Sequence, residues 1–176
     1  MGVKSAMARG LSSSLEPGLV LLTNQTFSAV SSLSLNNVFV PTYDFYLVNI
    51  ILSSSTSENL RVRFRESAAD ITTGYYGSGF EYAFNNTHAN FGAVNNGTTM
   101  NVIQLNTNQQ NSLVGYFTSE KGSGGSVASI FFGQGQGANT GVSWAYNTQD
   151  GSADGFSLTV PTGTITGTIS LYGVNK

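Results

Sequence analysis

Tyr43-Asp-Phe-Tyr-Leu-Val-Asn-Ile-Ile-Leu-Ser53 and, after a Ser/Thr tract, Leu60-Arg-Val-Arg-Phe-Arg65 decide the fold class. In the second stretch Leu60, Val62 and Phe64 alternate with Arg61, Arg63 and Arg65, the period-two signature of a strand buried on one face. The first stretch is apolar on both faces, which predicts a central strand covered on both sides. Together they read as two strands of one sheet.

The rest of the chain repeats that grammar. Gly18 to Thr23 and Phe27 to Phe39 are strand-like, and Pro41 marks the turn into the central strand, outside its ladder. Gly74 to Phe84 follows a turn at Asp70 to Thr73, and Asn85 to Asn96 reads as a polar loop. Thr98 to Leu105, Leu113 to Thr118, Ser126 to Phe132, Val142 to Tyr146, Phe156 to Val160 and Gly163 to Gly173 are further short strands between Gly, Asn and Ser turns. With no amphipathic helix of useful length, the architecture is all-β: an antiparallel two-sheet sandwich of jelly-roll type, with a barrel as the alternative.

Residues 1–18 carry Lys4, Arg9, Leu11 and Leu15 and end in Pro17-Gly18. Too short and too mixed to build a core, they read as an attachment arm ahead of a single domain over 19–176. No signal peptide is recognisable, because the arm lacks the apolar core such a segment needs.

Composition narrows the function classes. Charged residues make up only 9% of 176 residues, against roughly 25% in ordinary soluble domains. The surface therefore consists of Ser, Thr, Asn, Gln and Gly, neutral and rich in hydrogen-bonding groups. A net charge of −2 with seven Lys and Arg argues against nucleic acid, whose binding draws on clustered cations. Arg61, Arg63 and Arg65 are the one cluster, and they read as a solvated or ion-paired strand face. The longest apolar run, Leu47 to Leu52, is far below the ~20 residues that span a bilayer. The absence of cysteine excludes disulfides and thiolate metal sites.

Catalytic signatures are missing. His88, the single histidine, sits among Asn and Thr with no acidic neighbour and reads as a polar loop residue. Asp150-Gly-Ser-Ala-Asp154 offers two oxygen ligands for Ca²⁺ without the spacing of a known calcium loop, so it reads as a turn. The Gly-rich runs lack the strand-to-helix setting of a phosphate loop. No cofactor is expected. What stands out is a set of aromatics near amide-rich loops: Tyr75, Tyr76, Tyr82, Phe91, Trp144 and Tyr146. An aromatic face flanked by amides suits a sugar, and these six are candidate glycan-binding residues, with the alternative that the rings fill the core.

The pattern Phe27-Ser-Ala-Val-Ser-Ser-Leu-Ser-Leu-Asn-Asn-Val-Phe39, Tyr43-Asp-Phe-Tyr-Leu-Val48, Leu60-Arg-Val-Arg-Phe-Arg65, Asp154-Gly-Phe156 and Gly163-Thr-Ile-Thr-Gly-Thr-Ile-Ser-Leu-Tyr-Gly173 resembles small β-sandwich domains of bacteriophage virion proteins: tail fibres, receptor-binding appendages and head decorations. The resemblance implies a non-enzymatic, trimeric virion protein, held to tail or capsid proteins by the N-terminal arm, with the β-domain facing outward toward host surface polysaccharide. A capsid decoration protein is the second expectation. A secreted glycan-active enzyme, using Glu81 or Asp154, is the third.

Overall fold

The computed structural model describes the backbone of residues 18–43, 45–83, 88–118, 127–135, 139–148 and 153–174, with side chains except at 82–83, 88–93, 127–128, 135 and 139. Among these residues the strands are β1 (Leu19–Val30), β2 (Ser32–Leu35), β3 (Phe45–Ser54), β4 (Asn59–Glu66), β5 (Ala69–Asp70), β6 (Tyr75–Ala83), β7 (His88–Gly97), β8 (Met100–Gln104), β9 (Gln110–Thr118), β10 (Val127–Gly135), β11 (Asn139–Asn147), β12 (Gly155–Thr159) and β13 (Ile165–Val174). Eight form one sheet in the order β1-β13-β3-β9-β10-β11-β6-β7. The second sheet runs β2-β12-β4-β5, with β8 also paired to β4. All strand pairings are antiparallel. The chain passes repeatedly between the sheets, from β1 to β2, β3 to β4, β8 to β9 and β12 to β13, which is jelly-roll-like wiring of the expected sandwich.

The two stretches that reveal the fold do not share a sheet. β3 lies in the large sheet between β13 and β9, and β4 lies in the small one beside β12. Alternation reports which face of a strand is buried, and the same pattern serves a strand lying opposite as well as one lying adjacent. Leu60, Val62 and Phe64 of β4 and Tyr46, Val48, Ile50 and Leu52 of β3 belong to one core. An aromatic cluster joins the layers: Phe117 of β9 lies 5.5 Å from Phe39, 5.9 Å from Phe64 and 4.7 Å from Phe156, centroid to centroid.

β3 is central, as its sequence predicts, yet only one side is covered. Phe45 and Ile51 remain exposed on its outer side. The Asn85 to Asn96 segment, expected as a loop, instead contributes β7, an edge strand on β6. An edge ladder needs only backbone groups from its partner, so polar side chains do not forbid it. The stretch from Phe27 to Phe39 is divided between sheets, β1 ending and β2 beginning around Ser31, just after a bulge where Ala29 takes φ 50° and its N–H donates to Thr166 Oγ1 at 2.9 Å.

Arg63 and Arg65 of the arginine face are ion-paired within the chain. Arg65 pairs with Asp70 and donates to the Ala68 carbonyl and to Asn36 Oδ1 (2.6 Å); Arg63 reaches Asp70 at 3.6 Å and the Thr98 carbonyl at 3.0 Å. Ser157 Oγ also donates to Asp70, at 3.0 Å. This network stitches β4 to β5 and β12.

Candidate functional site: the outer face of the large sheet

On β6 and β11 the usual alternation is inverted. Gly77 and Gly79 of β6 and Ser143 and Ala145 of β11 point inward, while Tyr76, Phe80, Val142, Trp144 and Tyr146 point to solvent. The inner positions are small because the backbones and covering side chains sit close. A Cβ on Gly77 would lie 2.5 Å from the Trp144 carbonyl oxygen, and one on Gly133 of β10 would lie 2.3 Å from Ile103, whose strand β8 covers this end of the core. Ser129 Oγ likewise donates inward to the Met100 sulfur at 3.1 Å.

Register then assembles the outward rings. Tyr146 stands opposite Tyr76, Trp144 opposite Ser78, and Val142 opposite both Phe80 and Phe132. The Tyr76 and Tyr146 rings stack at 5.4 Å with 15° between planes, and Phe80 meets Trp144 edge-on at 5.6 Å. Trp144 and Tyr146 are each 44% exposed and Phe80 is 50% exposed. Four residues of strand separate the Tyr76 pair from Phe80, about 13 Å at ~3.3 Å per residue.

Three shallow hollows open on the same face. One of about 260 Å³ is lined by Phe80, Phe132, Thr140, Gly141 and Val142. A second, about 380 Å³, shares Phe132, Thr140 and Gly141 and extends to Ser112, Val114 and Gln134. The third, about 160 Å³, lies between Phe45, Tyr116 and Ile130. Beyond it, toward β1, the face turns aliphatic, with Leu19, Leu21 and Ile51 exposed.

The six candidate aromatics therefore separate. Tyr76, Trp144 and Tyr146 share the outer face, and Trp144 is not a core residue. Tyr82 and Phe91 lie on β6 and β7 with side chains outside the described set, and Lys4, Arg9, Leu11 and Leu15 of the arm and Asp150 fall outside the described residues. Tyr75 must be removed from the set. Its side chain is 0% exposed and bridges the sheets: the Oη accepts from the Phe64 N–H at 2.7 Å and donates to the Ile71 carbonyl at 3.0 Å, while the ring stacks on Phe64. Burial raises its phenol well above the ordinary tyrosine range, so it stays protonated and donating. Tyr75→Phe leaves the Phe64 N–H without its acceptor, and a loss of about 1–3 kcal/mol is expected. Read by thermal unfolding at roughly 2–4 °C per kcal/mol, this is a fall of about 2–12 °C; an unchanged midpoint would remove the bridge from the account.

Phe80 and Phe132 were not singled out by sequence reasoning. The available signal was the Gly-x-Gly spacing of Gly77 and Gly79, which leaves the inner side of β6 without side chains at those two positions and puts Phe80 on the other side.

The carboxylates of the enzyme reading lie elsewhere. None lines the three hollows. Asp154 Oδ2 accepts from the Ser67 N–H at 2.9 Å, holding a turn where Ser67 and Ala68 both take positive φ. Glu81 is buried on the inner side of β6, accepting from the Gln104 N–H at 3.3 Å. Burial pushes its carboxyl above the ordinary glutamate range, opposed in part by that hydrogen bond. A raised folded-state pKa means ionisation costs stability at high pH, and the cost disappears as pH falls through the folded value toward 4.5. Glu81→Gln is thus expected to raise the unfolding midpoint at pH 8, with the gain vanishing below about pH 4.5. A gain independent of pH would assign the effect to packing instead.

No protein-family model matches the chain, and comparison with curated proteins finds no match. Among solved structures, it is similar to the marine PL-14 alginate lyase from Aplysia kurodai, at TM-score 0.38 and 7% identity over 85% of this chain and 82% of the other.

Proposed function

We propose that the chain is a non-enzymatic bacteriophage virion protein, a fibre or receptor-binding appendage whose eight-stranded sheet presents a platform for host surface glycans. The observation that carries the binding reading is the inverted alternation of β6 and β11. A sandwich serving stability alone turns its large rings inward; here Trp144, Tyr146 and Phe80 face solvent over an interior of Gly, Ala and Ser. Aromatic faces supply apolar area for the C–H faces of sugars, and Ser78, Ser112, Gln134 and Thr140 supply hydroxyl and amide partners around them.

The virion setting rests on the resemblance of the strand motifs to phage appendage domains, with the N-terminal arm as anchor to tail or capsid proteins. Self-association is supported by the aliphatic end of the face, and the trimer is what the resemblance implies. β3 has the sequence of a strand covered twice, while Phe45, Ile51, Leu19 and Leu21 stay exposed in the single chain; a second copy would cover them.

Retention of the full-length protein on immobilised host polysaccharide, with its mass measured in solution, tests this reading. An oligomer that is retained supports it. The exposed aliphatic end also favours a second reading, a capsid decoration protein that docks on the head by this face. A monomer that no polysaccharide retains, together with particles that burst at lower temperature when they lack it, would replace the first reading by the second.

A further inference from the structure

Resting on the glycan-platform reading, we propose that the platform takes uncharged glycans, chains of neutral hexoses, in preference to uronate-, sialate- or sulfate-bearing polymers. The ground is where the charges lie. The three described arginines stand on β4, together with Glu66, and are neutralised in part by Asp70 of β5. Glu58 precedes β4, Asp154 precedes β12, and Glu81 points into the interior. Among the described residues, no Lys, Arg, Asp or Glu occupies an outward position on any strand of the large sheet.

An acidic sugar laid on this face would lose water from its carboxylate or sulfate and gain no cation in return, which is the costly way to desolvate a charge. The π-faces of Trp144, Tyr146 and Tyr76 carry partial negative charge, repelling an anion while attracting the weakly positive C–H face of a neutral pyranose. The chain's net charge of −2 opposes polyanions at longer range as well. The partners in and around the hollows, Ser112, Gln134 and Thr140, are neutral groups that donate and accept, matched to sugar hydroxyls.

The test uses the full-length protein, beside Trp144→Ala and Tyr146→Ala, on a neutral glucan and a galactomannan against alginate and chondroitin sulfate, at low salt and at high salt. Retention on a neutral polymer is expected, insensitive to salt and weakened at least tenfold by either substitution. Trp144-dependent binding that favours the acidic polymers and fades with salt would overturn the neutral-glycan inference while leaving the platform in place. Absence of binding to every polymer, or binding indifferent to both substitutions, would overturn the platform reading itself and the inference with it.

Discussion

Trp144→Ala is expected to weaken binding of a recognised glycan by about thirty-fold, or ~2 kcal/mol, the size of effect typical when a central aromatic anchor is truncated. The fold should not register the change, since Trp144 is on the outer side of β11 and an exposed substitution stays within about ±0.5 kcal/mol. Its ring meets Phe80 edge-on and lies one outward position along the strand from the stacked Tyr76 and Tyr146, so Tyr146→Ala should follow it in direction. In an oligomer the measured loss grows, because weak sites acting together raise affinity by about 10²–10⁴. The decisive comparison is glycan affinity beside the unfolding midpoint of the same protein. A loss of binding with an unchanged midpoint assigns Trp144 to the ligand; an unchanged affinity removes it from the site.

Neighbouring phenylalanines provide the second large effect. Phe131 is buried, its ring covering the Gly115 backbone so closely that a Cβ there would come within 2.3 Å, and it meets Phe117 at 5.3 Å. Phe132, the next residue, lies on the opposite side of β10 and is exposed between the first two hollows. Phe131→Ala should cost about 3–5 kcal/mol, a fall of roughly 6–20 °C in unfolding midpoint for a domain of this size. Phe132→Ala should leave the midpoint nearly unmoved. Equal losses at the two positions would mean that the outer face is covered in the isolated protein, by a second copy or by residues 1–17, and the solution mass distinguishes these.

Two further substitutions act on separate parts of the same frame. Tyr75→Phe probes how the small sheet is tied to β6, and Glu81→Gln probes the cost of the buried carboxylate on the inner side of β6. Neither touches the outer face, so both variants should keep whatever binding the protein has.

Much of the fold follows from the sequence by itself. Period-two patterning, Gly and Asn punctuation and the lack of any helical period determine an all-β chain, and Leu60, Val62 and Phe64 face the core as their alternation with arginine demands. The scarcity of charge likewise determines a neutral surface wherever that surface lies. Only the tertiary structure decided which strands became neighbours, placing β3 and β4 in opposite layers, because alternation specifies a buried face and not the partner that buries it. It also decided the phase of β6. Tyr75 and Tyr76 are adjacent and alike, and one is buried while the other is half-buried on the outer face, because Gly77 continues Tyr75's side of the strand, where the β11 backbone approaches too closely for a larger group. Hydrophobicity alone would send Trp144 inward. Close packing beneath β11 leaves that space to Ala145 and Ser143, and the ring is turned out to the face where a ligand can reach it.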